Sequence, residues 1–180
     1  MELNNYLFQL VYQGSGYWPL LDRIFILITT YITYAVIIAT ILHFILHPFL
    51  SRNKINNIFH RQASIHIIFT SLLTWLAVWL IKIIISHPRP FIAIEDVVPL
   101  VNAAPFQSFP SAHAALTIAL AISVLRYHKH LGHLLAAFSF VVSLSRLYVG
   151  VHYPFDIGVG LLIGFLIAKF INSRFAHRKK

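Results

Sequence analysis

Apolar side chains in this chain come in long uninterrupted blocks. They follow neither the alternation of a half-buried strand nor the narrow stripe of a soluble amphipathic helix. Ile24–Leu46 runs 23 residues without a formal charge and Ala63–Ile81 another 19. Each is long enough to cross a hydrocarbon layer of about 30 Å as a helix. Three further blocks, Ser111–Leu125, Leu131–Leu144 and Ile157–Ala168, are shorter. Each must recruit flanking residues or open onto a cavity lined by protein. Ahead of them, Leu3, Tyr6, Leu7, Leu10 and Val11 recur at helical spacing before Gly14-Ser15-Gly16, predicting a short helix in the membrane interface. This segment lacks a basic start and does not read as a signal peptide. Between the second and third blocks, His87–Pro110 holds Pro88, Pro90, Pro99, Pro105 and Pro110, which predicts an irregular loop. The expected fold class is all-α: a polytopic membrane helical bundle of about five spanning helices plus an N-terminal interfacial helix. The 180 residues are expected to form a single membrane-embedded domain.

Composition supports this reading. Hydrophobic residues make up 58% and charged residues 11%, against roughly 25% charge in a soluble domain. With no Cys, a disulfide framework, a zinc–thiolate site and a cysteine nucleophile are all excluded. The net charge of +9 invites nucleic acid as a partner. No basic platform interleaved with aromatics is present, however, so none is expected. The basic residues report topology instead. Arg52, Lys54, Arg61, Arg126, Lys129, Arg174, Arg178, Lys179 and Lys180 fall on one side of the predicted spans. The opposite side holds Glu2, Asp22, Glu95, Asp96 and Asp156 with Arg23, and near it lie Lys82, Arg89 and Arg146. The positive-inside rule then places the C-terminus in the cytoplasm and the N-terminus and Pro-rich loop outside. Anionic membrane lipids are expected partners of the basic face.

Several polar residues stand at the outer ends of spans, where charge near hydrocarbon marks a functional site by default. Lys82 and Arg89 are seven apart, so both point the same way if the helix continues past Ser86. Ser111 and His113 follow Pro110, where a helix start offers N–H groups and a positive dipole end to an anion. Arg146 closes the fourth span. His152 and Asp156 stand at i and i+4, within reach of each other. Three cations, a helix start with a hydroxyl, two histidines and a carboxylate suit a tetrahedral oxyanion such as phosphate. One histidine would attack phosphorus and the other protonate the leaving oxygen, with the carboxylate holding the nucleophile's tautomer. Only one carboxylate lies within these motifs, so catalysis without a metal or other cofactor is expected.

Lys82-x6-Arg89-Pro90, Pro110-Ser111-Ala112-His113 and Ser145-Arg146-x5-His152-x3-Asp156 resemble the three-part signature of the type 2 phosphatidic acid phosphatase family. That family shares its site with the vanadium haloperoxidases. The resemblance spans Lys82–Asp156 and implies His152 as the phosphorylated nucleophile, Asp156 as its orienting carboxylate and His113 as the general acid. It implies Lys82, Arg89, Ser111 and Arg146 as phosphate ligands. Ala112 departs from the glycine most common there, and a helical residue tolerates the methyl. Within the family, Phe109-Pro110-Ser111-x-His113 and Tyr148–Asp156 resemble the small bacterial undecaprenyl-diphosphatases of the bacitracin-resistance type. The implied activity is a plasma-membrane lipid phosphatase, facing the exterior or periplasm, that converts undecaprenyl diphosphate to the monophosphate. Phosphatidylglycerophosphate, phosphatidic acid or a lipid A phosphate are the alternative substrates. A non-catalytic anion-binding or transport protein of the same fold is the alternative class, against which both histidines argue.

The other candidates read as structural. His43, His47, His60, His66, His128, His130, His133 and His177 match no motif and are expected to pack or lie at interfaces. Trp75 and Trp79 are expected against lipid or a neighbouring helix. Gly158, Gly160 and Gly164 form a small-residue stripe that serves packing within the chain or between two copies equally well. His87 reads either as a contact to the leaving group or as a loop residue, and Glu95-Asp96 as a solvated loop tip.

Overall fold

The computed structural model describes residues 2–50 and 54–176. Arg52, His177, Arg178, Lys179 and Lys180 lie outside the described residues. The elements in order are α1 (Glu2–Tyr12), α2 (Pro19–Leu27), a π-turn (Ile28–Ile32), α3 (Thr33–Leu50), α4 (Lys54–Ile84), α5 (Pro90–Ala93), α6 (Ala112–Leu125), α7 (Lys129–Tyr148) and α8 (Pro154–Ala176). No strand occurs among the described residues. Among the described residues four segments are long and apolar enough to cross a membrane: Pro19–His47, His60–Ile84, Lys129–Tyr148 and Pro154–Phe175. Both later spans exceed their apolar blocks because they recruit flanking residues at each end.

The fifth apolar segment, α6, has 14 residues and reaches about 21 Å at 1.5 Å per residue. It avoids the length requirement by sitting at the centre of the bundle, packed against α4, α7 and α8. Its small side chains make this possible: Ala114, Ala115, Ala119 and Ala121 are fully buried. In α8, Gly160 and Gly164 face the backbone of Ser111 and Ala115, whereas a side chain at Gly158 would meet open space. Two glycines of the stripe thus serve packing within the chain. Thr117 and Ser139 hydroxyls lie 2.8 Å apart between α6 and α7, a polar link suited to an apolar surround.

Far from the loop, Phe44, Ala63, Ile67, Leu120, Ala121, Val124 and Leu135 close an apolar core. Beside it His43, His47, His60 and His128 pack ring against ring, with His47 and His60 stacked at 3.6 Å. Trp75 and Trp79 stack on one another, half-exposed, on the outer face of α4. Helix α1 turns Leu3, Tyr6, Leu7 and Leu10 outward, as an interfacial helix would, while fully buried Phe8 stacks on Tyr12 and packs on Tyr153. The Pro-rich loop is irregular apart from the short α5.

Candidate active site

Five chain segments bring polar side chains to one end of the bundle. Lys82 stands in the last turn of α4, Ser111 at the N-cap of α6, and Arg146 in the last turn of α7. His152 follows in the α7–α8 turn, and Asp156 in the first turn of α8. The turn is built locally. Helix α7 ends with Val151 N–H bonded to Arg146 O at 3.3 Å and Gly150 N–H to Leu147 O at 3.0 Å, the two bonds of a Schellman cap. Gly150 takes φ +78°, and a Cβ there would lie 2.9 Å from the Tyr12 ring, so glycine suits both backbone and space. The cap delivers His152 to the site.

His152 is 2% exposed. Its Nδ1 lies 3.5 Å from Asp156 Oδ2 and its Nε2 lies 3.3 Å from Arg89 Nη1. A guanidinium has no acceptor, so Nε2 accepts and the ring proton belongs on Nδ1, facing the carboxylate. This leaves the Nε2 lone pair on the side of the cations. Burial, then the charges of Arg146, Arg89 and Lys82, holds the His152 imidazole well below its ordinary value. The ring is neutral at pH 7. Asp156 is fixed in turn: Oδ2 accepts from Ser108 Oγ at 2.5 Å and from Tyr153 N–H at 2.9 Å. Ser108 carries no signal in the sequence, because its partner is 48 residues away.

Helix α4 stops at Ile84, so Lys82 and Arg89 do not share a helical face as a continuous helix would give. Extended chain brings Arg89 in, and both cations meet at the loop. Lys82 Nζ donates to Gln107 O at 2.5 Å, and Arg89 Nη2 donates to the same carbonyl at 3.3 Å. Arg89 Nε donates to Ala104 O at 2.6 Å and Nη1 to Val151 O at 2.7 Å. Arg89 therefore pins the Pro-rich loop to the turn that carries His152. Ser111 N–H donates to Asp156 O at 2.9 Å, tying the start of α6 to α8 and leaving that N–H committed. Its hydroxyl is fully buried, with no hydrogen-bond partner among the described residues. Arg146, also buried, gives Nη1 to Thr29 Oγ1 at 2.6 Å, and its Nε has no hydrogen-bond partner among the described residues. Buried donors left unpaired are costly, and an oxyanion would repay that cost.

A cavity of about 510 Å³ opens beside these groups, lined by Arg89, His113 and Arg146, by Thr29, Thr30 and Tyr34 of the first span, and by Pro99–Ala103. His113 meets the edge of the Tyr34 ring at 5.4 Å between centres. His152 lies behind Arg89 and does not line this cavity. His87 faces elsewhere: it lines a separate cavity of about 190 Å³ with Asn4 and Asp156, and its ring meets Tyr153. Glu95 and Asp96 are exposed at the loop tip, away from the cluster. No group of three or more His, Asp or Glu placed to hold a metal ion occurs among the described residues.

Fold and site together define an integral-membrane phosphatase. The chain belongs to the PAP2 superfamily, whose model its residues 62–180 match. It is 30% identical over 174 residues to the undecaprenyl-diphosphatase BcrC of Bacillus subtilis, an alignment covering 93% of this chain and 84% of that one. It is 36% identical over 86 residues to a protein named bacitracin transport permease protein BcrC of Bacillus licheniformis, across 48% of this chain and 42% of that one. The chain thus aligns with less than half of the Bacillus licheniformis protein. The fold is that of the crystal structure of the transmembrane PAP2 type phosphatidylglycerolphosphate phosphatase from Bacillus subtilis. That match has TM-score 0.77 at 18% identity and covers 99% of this chain and 87% of that one.

Proposed function

We propose that this protein hydrolyses undecaprenyl diphosphate to undecaprenyl phosphate and inorganic phosphate at the outer face of a bacterial plasma membrane. The observation that carries the chemistry is the buried His152, with Nδ1 toward Asp156 and Nε2 toward a guanidinium. In the first step Nε2 attacks the terminal phosphorus and a P–N bond forms. The P–O bond to the lipid monophosphate breaks, and His113, lining the cavity, gives the leaving oxygen its proton. Asp156 balances the positive charge that develops on the imidazole. Water then attacks phosphorus, His113 takes the water's proton, the P–N bond breaks, and phosphate departs from a neutral His152. Lys82, Arg89, Ser111 and Arg146 neutralise the phosphoryl oxygens in both steps.

The 30% identical diphosphatase supports the diphosphate among the lipid phosphates this chemistry suits. The transport name borne by another relative does not favour a mere carrier, because anion passage has no use for a carboxylate-oriented imidazole. Trapping tests the mechanism. Protein mixed with substrate labelled with ³²P at the terminal phosphate and quenched in alkali, where phosphohistidine survives, should retain label in the parent chain. It should retain none in His152→Ala. Label persisting in His152→Ala would assign the nucleophile to another residue and overturn this mechanism.

A further inference from the structure

The first span is not a plain helix. Its π-turn, Ile28–Ile32, is closed by Thr33, whose backbone N–H and hydroxyl both donate to Ile28 O, the hydroxyl at 2.7 Å. A single π-turn inside a helix is rare, and such turns are common at functional sites. This one faces the cavity with Thr29 and Thr30, and Tyr34 follows one turn later.

Thr29 behaves unlike five other threonines of the helices. Thr33, Thr40, Thr70, Thr74 and Thr117 each return the hydroxyl to a carbonyl of their own helix. Thr29, 1% exposed, instead offers its oxygen to Arg146 Nη1 at 2.6 Å, across 117 residues. The guanidinium has no other partner among the described residues. An arginine side chain is long and rotates freely unless held. With Nη1 fixed by Thr29, the remaining Nε/Nη2 edge is the one that binds an oxyanion in bidentate fashion.

We propose that Thr29 is a positioning residue: from the π-turn it fixes the guanidinium of Arg146 so that its Nε/Nη2 edge meets the substrate's phosphate. The first span thereby becomes part of the phosphate site. The inference rests on the reading of Arg146 as a phosphate ligand. Purified full-length protein in detergent carries the test. Affinity for inorganic phosphate is read from its dependence of thermal unfolding, and kcat/KM from phosphate release. Thr29→Val keeps shape and removes the hydroxyl. It should weaken phosphate binding and lower kcat/KM by about 10- to 100-fold, the range for a hydrogen bond to a charged group. Thr29→Ser should restore both to within about threefold of the parent. Parental values in Thr29→Val would overturn the proposal. So would losses that Thr29→Ser fails to rescue, accompanied by a lowered melting temperature, since they would mark a packing role. Arg146→Ala separates the two readings. Unchanged phosphate affinity there would refute Arg146 as a ligand. Weakened affinity there beside an unaffected Thr29→Val would refute Thr29 alone.

Discussion

His152 owes its reactivity to its neighbours more than to its position. Asp156 Oδ2 faces Nδ1 at 3.5 Å, Arg89 Nη1 stands 3.3 Å from Nε2 where a phosphoryl oxygen would draw it away, and burial with Arg146, Arg89 and Lys82 disfavours the imidazolium. In the proposed mechanism the attacking imidazole is neutral, so activity should be lost as pH falls through the folded value, which lies below the ordinary 6.5. A pH–rate profile should accordingly place the acid limb of kcat/KM below 6.5. Arg89→Gln, by removing one of these positive charges, should move that limb upward. A limb above 6.5 in the parent would contradict the assignment. His113→Ala should slow expulsion of a lipid leaving group by about 10²–10⁴-fold and affect a good leaving group, such as nitrophenolate, far less. Equal losses on both would remove its role as the acid. In the proposed mechanism Lys82, Arg89 and Arg146 supply the charge neutralisation, so turnover should persist in excess chelator; loss restored by Mg²⁺ would contradict that. Lys82, Arg89, Ser111, His113, Arg146, His152 and Asp156 were legible in the sequence because each falls in a short motif of fixed spacing. Ser108 and Thr29 were not, since tertiary contact alone brings them to Asp156 and Arg146.

At the scale of elements, the site is aligned by close approach of α8 to α6. A Cβ at Gly160 would lie 2.5 Å from Ser111 O, whereas Gly158 faces open space. Gly160→Ala should therefore shift the start of α6. A destabilisation of about 1–3 kcal/mol is expected from overpacking, together with a fall in activity because Ser111 and His113 move. Gly158→Ala should hold or raise the melting temperature, given alanine's helix preference of about 1 kcal/mol. Thermal unfolding and phosphate release of the two variants check this, and equal behaviour would contradict the packing. The spans were readable because uninterrupted apolar length is a strong signal. Their polar ends were harder to place: helix α4 stops before Ser86, and Arg89 arrives on extended chain pinned by loop carbonyls. The π-turn left no mark, because Ile28–Ile32 is uncharged and continues the long block without a break.

Across the whole molecule, the cluster occupies one end of the bundle while Arg61, Arg126, Lys129 and Arg174 stand toward the other. Lys169, in the last third of α8, adds to that second group. The positive-inside rule predicts that the site end faces out. The chain has no Cys, so Glu95→Cys in the exposed loop tip and His130→Cys at the exposed start of α7 form a clean pair. In intact cells an impermeant thiol reagent should label the first and spare the second. The reverse pattern would turn the site to the cytoplasm. Phosphate release from purified protein shows whether lipid hydrolysis runs through His152. The panel is undecaprenyl diphosphate, phosphatidylglycerophosphate, phosphatidic acid and a lipid A phosphate, each assayed with the parent and with His152→Ala. The account predicts fastest release from undecaprenyl diphosphate by the parent and none from any lipid by His152→Ala. Preference for another lipid in the panel would contradict the proposed substrate, and parental rates in His152→Ala would contradict the mechanism itself.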